Sequence, residues 1–276
     1  MSETLSHART FLFTQGRDID QAQLTHHFEG ASPDALLGTL ARYQNPDGGF
    51  ARLEVDIHAP DSNPFATEIA LLICVQAGLS VAASDLLERT VAHLERTQTE
   101  DGDWRFAPGV YEHELAPWFQ GWQWPNLNPA CTTSGLLREL GAGSPELHAR
   151  VARLFDRLAN PDDLASDDFY TVRPYAFYFL PEWEHPQRER YLAALLDWLL
   201  RQAPKADVDG NHFFAYVRGP QTWAGQRIPR DILNDRLDRL TAEQEVDGGW
   251  PSPYSLAWRG WITIQNLLTL RMFGRV

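Results

Sequence analysis

Hydrophobic positions along the chain fall into two kinds of run. In the first kind the residues are apolar nearly all round: 65–77, 130–140 and 257–273. A helix with such a surface has to be surrounded by protein. In the second kind a single apolar stripe at helical spacing opposes a charged side. Residues 84–97 show it, with Leu87, Val91 and Leu94 on one face and Glu88, Arg89, Glu95 and Arg96 elsewhere. Segments 145–158, 187–202 and 230–243 read the same way. Helix starts are written at Ser32-Pro33-Asp34, Asn63-Pro64, Asn128-Pro129 and Ser144-Pro145-Glu146, where a capping side chain precedes a proline at the first helical position. A short first helix is expected over 5–13. Residues 169–180 form an aromatic segment in which Pro174 should break or kink any helix. Residues 101–128 read as a long loop and 211–228 as short and irregular. No segment alternates with period two and β-branched enrichment, so the expected class is all-α, with about eleven to twelve helices.

A repeated stretch punctuates this pattern. Gln44-Asn-Pro-Asp47-Gly48-Gly49-Phe50 returns as Gln98-Thr-Glu-Asp101-Gly102-Asp103-Trp104 and as Gln244-Glu-Val-Asp247-Gly248-Gly249-Trp250. The spacing fits a supersecondary unit of about 50 residues. A weaker copy runs from Gln202 to Asp209-Gly210 and Phe213, and Asn160-Pro161-Asp162 is a candidate fifth. Glycine after aspartate permits a tight turn with positive φ. The Gln and Asp side chains are expected to satisfy helix-end groups while the aromatic packs between helices. Buried and half-exposed helices alternating at this period can close into a double ring, an α/α toroid, spanning 1–276 as a single domain.

The Gln-x-x-Asp-Gly-Gly-Trp/Phe stretches resemble the QW-type repeats of the squalene-cyclase and protein-prenyltransferase superfamily. The chain also resembles small bacterial prenyltransferase/squalene-oxidase repeat proteins. The resemblance implies the α/α toroid and a terpenoid-cyclase or prenyltransferase type of chemistry on an apolar, isoprenoid-like or polycyclic molecule in a central cavity. The motifs that drive such chemistry are not written in this sequence. No D-x-D-D is present for alkene protonation, Asp207-Val-Asp209 being a fragment. Asp162-Asp163-Leu-Ala-Ser-Asp167-Asp168 has the acid density of a magnesium-binding D-D-x-x-D segment without its spacing. Cys74 and Cys131 lie in apolar helical runs without the closely spaced aspartate of a zinc site.

Composition narrows the partners. The 276 residues carry a net charge of −13, and Lys205 is the only lysine. Such acidity argues against nucleic acid and anionic membranes. No run reaches the roughly 20 apolar residues of a membrane span. Two buried-type cysteines and a polar N-terminus fit a soluble, cytoplasmic protein. No metal and no cofactor is expected, and an apolar small molecule is the expected partner.

Candidate site residues follow from position. Glu54, Asp56, His58 and Asp61 lie in the loop before the apolar helix that holds Glu68, and His113, Trp118, Trp122 and Trp124 lie in the loop before the helix at Asn128. Equivalent loops of successive repeats should meet around one pocket. A carboxylate near aromatic walls has its pKa raised and can act as an acid, and aromatic faces can stabilise a cation. Asp56 and Glu68 are therefore the candidate catalytic residues. Glu54, Trp118, Trp122, Trp124, Arg173, Tyr175 and His212 are the candidate substrate contacts, Arg173 as an anchor that must find a carboxylate or ligand. Each has a structural reading beside it: Glu68 could favour its helix's N-terminal turn, and Asp56 and Asp61 could cap it or stay in water. Two other functions remain open on sequence: a non-catalytic binder of an apolar ligand, and a carbohydrate-active α/α toroid with tryptophan platforms and paired carboxylates.

Overall fold

The computed structural model describes residues 2–80, 84–166, 168–181, 183–204 and 211–276, without the side chains of residues 211 and 212. Every regular element among them is a helix. In chain order these are α1 (Glu3–Gln15), α2 (Asp18–Glu29), α3 (Pro33–Leu40), α4 (Pro64–Gln76), α5 (Asp85–Thr97), α6 (Pro117–Gln120), α7 (Leu127–Glu139), α8 (Pro145–Leu158), α9 (Phe169–Phe179), α10 (Arg188–Gln202), α11 (Asn211–Tyr216), α12 (Trp223–Arg227), α13 (Arg230–Ala242) and α14 (Arg259–Met272). Short 3-10 turns join several of them. Two isolated bridges, Gln44 with Phe50 and Ile57 with Leu115, are the only β-type pairings among the described residues.

The chain forms two compact units, one of residues Met1–Leu36 and Ala193–Val276, the other of Leu37–Leu192. In the second unit, α4 is buried without a break from Pro64 to Cys74, and α7 from Leu127 to Leu137. The amphipathic α5 and α8 bury only one stripe, Leu86, Leu87, Thr90, His93 and Leu94 in α5 and Leu147, Val151, Leu154 and Phe155 in α8. In these four helices the apolar runs are thus more completely buried than the amphipathic ones, as expected from the sequence. Ser84, Asn63 and Ser144 each accept a backbone N–H of their helix, as their cap positions require. Helix α7 packs most extensively on α9. Gly135 makes that possible, because a Cβ there would lie 2.0 Å from the Phe177 carbonyl oxygen.

The three motif loops share one docking geometry. Gln44 donates to the Leu86 carbonyl at 3.0 Å, Gln98 to Leu147 at 3.1 Å and Gln244 to Thr4 at 2.9 Å. These acceptors lie in the first turns of α5, α8 and α1. Three residues further along each helix, a backbone carbonyl presses on the motif glycine. Gly48, Gly102 and Gly248 have φ of 90°, 93° and 93°, and an added Cβ would stand 2.4, 2.3 and 2.1 Å from the oxygens of Arg89, Arg150 and His7. The indoles of Trp104 and Trp250 turn back to the Leu94 and Leu240 carbonyls, at 2.8 and 2.7 Å, near the ends of α5 and α13. In the second and third copies the motif therefore ties the end of one helix to the beginning of another.

Several local expectations differ from the structure. Residues 18–29 form α2, which its weak apolar stripe does not announce. Helix α9 runs through Pro174 without ending. Pro174 is the sixth residue of the helix, so its missing N–H costs only the bond to the Tyr170 carbonyl near the first turn. The supposed loop 101–128 holds a 3-10 turn, Pro108–Glu112, and α6, and 211–228 holds α11 and α12. Asn160-Pro161-Asp162 opens a 3-10 turn, Pro161–Ala165, rather than a repeat loop. The weaker copy at Asp209-Gly210 lies outside the described residues.

Candidate functional site

The two loops singled out from the sequence meet in the second unit. Ile57 and Leu115 form an antiparallel bridge, the His58 amide donates to the Glu114 carbonyl at 3.1 Å, and the Ala116 amide donates to the Asp56 carbonyl at 3.0 Å. Their apolar residues make one cluster with the start of α4: Ile57, Phe65, Phe106, Leu115 and Phe119 are buried, and Trp122, Trp124 and Tyr170 pack on it half-buried. The rings meet mostly edge to face. Phe65 and Trp122 are 5.0 Å apart, Trp122 and Tyr170 5.5 Å, and Phe106 and Trp124 5.3 Å.

One helical turn along α4 from Phe65 stands Glu68, and one turn along α9 from Tyr170 stands Arg173. The two join: Arg173 Nε donates to Glu68 Oε1 at 2.9 Å, and Nη2 donates to the same oxygen. The guanidinium also lies over the Phe177 ring at 4.4 Å and the Phe169 ring at 5.3 Å. Glu68 Oε2 is buried and has no hydrogen-bond partner, as is the Trp122 indole nitrogen. Burial pushes the Glu68 carboxyl above its ordinary value, and Arg173 opposes that shift without reversing it. A half-paired, buried carboxyl beside a group of aromatic rings is the most chemically unusual feature of this unit. Glu68 is the fifth residue of α4, past the turn where a helix dipole alone would explain it.

The other candidates are distributed less evenly. Glu54 is buried, and its Oε1 accepts the Asp56 amide at 3.1 Å, so it braces the loop. Asp56 is half-buried and contributes its backbone to both loops. Trp118 is exposed at the edge of Phe119, and the Trp124 indole donates to the Tyr111 hydroxyl at 3.1 Å. His58 faces Glu114 at 3.3 Å on the surface. Tyr175 is not brought to Glu68. It stands two residues beyond Arg173, about 200° around α9, and its hydroxyl bonds Asn160 and Asp163. The His212 side chain lies outside the described residues. Tyr170 and Phe65 take the place expected of Tyr175, and the sequence signal for them was their i, i+3 relation to Arg173 and Glu68.

A further residue that sequence reasoning passed over is Asp103. It occupies the place held by Gly49 and Gly249 in the other motif copies, and that departure was its signal. Asp103 is fully buried; Oδ1 accepts the Trp104 amide at 2.8 Å and Oδ2 the Asn126 amide at 2.8 Å. Burial raises its pKa to about 7.

No group of three or more His, Cys, Asp or Glu among the described residues is arranged to hold a metal ion. No helix among them is long and apolar enough to cross a membrane. Comparison with known proteins finds no matching family model, no matching characterised protein and no matching solved structure.

Proposed function

We propose that the second unit binds an apolar, isoprenoid-like or polycyclic small molecule against Phe65, Trp122 and Tyr170, and that Glu68 acts on it as a proton donor and acceptor. The observation that carries this reading is Glu68 Oε2, a buried oxygen without a partner while Oε1 takes both Arg173 bonds. With the carboxyl protonated, the proton sits on the open oxygen. Its transfer to an alkene carbon leaves a carboxylate, which Arg173 stabilises, and a carbocation, which ring faces stabilise. Loss of a proton from the product cation to Oε2 restores the acid and closes the balance. The α/α toroid of the resembled superfamily belongs to the same reading, and the shared docking of the three motif loops supports it.

Farnesol is a suitable probe, because it is apolar, unsaturated and uncharged, and the sequence shows no obvious lysine/arginine cluster for a diphosphate. Titration followed by tryptophan fluorescence measures binding, and incubation in heavy water followed by NMR measures deuterium entering the alkene carbons. Saturable binding with deuterium incorporation that Glu68→Gln abolishes supports the full proposal. Absence of saturable binding refutes it. Binding without exchange leaves the second reading, a ligand-binding unit without turnover, which the two Arg173 bonds favour by opposing protonation of Glu68.

A further inference from the structure

The motif copies differ in how they anchor their aromatic residue. In the first copy the Phe50 amide donates to Thr67 Oγ1 at 3.2 Å, and in the third the Trp250 amide donates to Thr263 Oγ1 at 3.1 Å. Both acceptors are threonines of the buried helix that follows. The second copy keeps the threonine: Thr132 stands four residues past Asn128, as Thr67 stands four past Asn63. Yet the Trp104 amide goes to Asp103 instead. The scaffold thus has no need of a carboxylate here. What the carboxylate adds is its second oxygen, which takes the amide of Asn126, 23 residues away. One buried side chain consequently holds both ends of the Trp-rich loop 104–126.

We infer that Asp103 is a positioning residue that keeps the Trp-rich loop closed as a carboxylate and frees its Asn126 end when protonated. A carboxylate offers both oxygens as strong acceptors, whereas a neutral acid keeps one. Trp104 follows Asp103 directly and stays within reach; Asn126 is held from a distance and is the end that separates. The charged and titratable groups that act on Asp103 are Asp101, Arg105 and the Cys131 thiol. Asp101 and Arg105 pair with each other at the surface, and burial pushes the Cys131 thiol well above its ordinary value, so the thiol stays neutral near pH 7. Asp103, raised from 3.8 to about 7, does. The sign is opposite for the whole fold and for the loop. A raised carboxyl contributes stability that is full below 3.8 and lost as pH climbs through about 7, while the bond to Asn126 is complete only above that value. This inference rests on the proposed function only in treating the loop as a wall of the ligand site.

The test is amide hydrogen exchange of the full chain, read at Asn126 by NMR and corrected for the intrinsic pH dependence of exchange. Protection of the Asn126 amide should rise about tenfold between about pH 6 and pH 8 as the carboxylate fraction grows. Asp103→Asn, whose amide group faces the Asn126 N–H, should show low protection at both values. Asp103→Gly restores the motif residue and leaves Thr132 available to Trp104, so it should fold and lose protection at Asn126 alone. A pH-independent Asn126 amide in the wild-type chain overturns the inference, as does wild-type protection in Asp103→Asn; neither outcome depends on farnesol. Farnesol affinity that follows the same pH curve ties the loop to the site, and affinity that ignores it limits Asp103 to loop closure.

Discussion

Arg173→Met removes the cation that bonds Glu68 and replaces it with an apolar side chain of similar reach. The carboxyl it leaves is 3% exposed, on a helix buried from Pro64 to Cys74. Breaking a buried ion pair by removing one partner costs about 3–5 kcal/mol, because the remaining charge is neither solvated nor paired. At a urea slope of about 2 kcal/mol/M, that loss lowers the unfolding midpoint by about 2 M. Glu68→Leu combined with Arg173→Met removes both charges and should recover most of the loss, since buried pairs exchange for apolar residues at little net cost. Acidity supplies an independent check. The folded Glu68 carboxyl lies above its ordinary value of 4.5 and rises further without Arg173. The folded state of the variant therefore favours the protonated acid more strongly, and its deficit relative to wild type shrinks as pH falls toward 4.5. A deficit below about 1 kcal/mol at neutral pH, or one that grows on acidification, would refute the placement of a buried charge pair here.

Two other outcomes are expected from geometry already described. Gly102→Ala should destabilise by about 3 kcal/mol or more, through its positive φ and the Arg150 carbonyl, whereas Gly141→Ala, with positive φ and open space around it, should cost about 1 kcal/mol; equal melting-temperature losses would contradict the docking geometry. Cys74 and Cys131 should resist alkylation at about pH 8 until the chain is unfolded in guanidinium, since burial pushes the Cys74 thiol up to about 12 and Cys131 well above its ordinary value; stoichiometric labelling of the native chain would show that their helices open.

The apolar runs at 65–77 and 130–140 were legible as buried helices because no rotation of them presents a polar face. The caps at Asn63 and Ser144 were legible because a side-chain oxygen ahead of a helix has one evident use. Helix α2 was hidden, since it buries Asp20 and Gln23 along with Ile19 and Leu24, and polar burial leaves no apolar stripe to read. For the candidate site, spacing anticipated that loops 54–68 and 113–128 meet, as the Ile57–Leu115 bridge shows. It did not settle rotation: Tyr170 and Tyr175 are equally aromatic in sequence, but Tyr170 lies one turn from Arg173 whereas the two-residue step from Arg173 carries Tyr175 to the far side of α9. Asp103 was visible as a departure from its motif, but the meaning of that departure depends on Asn126, a contact that no periodicity encodes.

The third motif docks on α1, across 240 residues of chain between Thr4 and Gln244. During synthesis, α1 leaves the ribosome long before the loop that will lie on it. Its Phe11 and Leu12, covered in the finished fold, spend most of translation without that cover. Residues 37–192 form an uninterrupted stretch and can complete their own contacts in the meantime. The nascent chain therefore faces a fixed order of events, in which α1 is secured only after a loop made 240 residues later. A stall or a cut before that loop is made releases a chain in which Phe11 and Leu12 lack this cover, the kind of exposed apolar surface that chaperones and proteases engage.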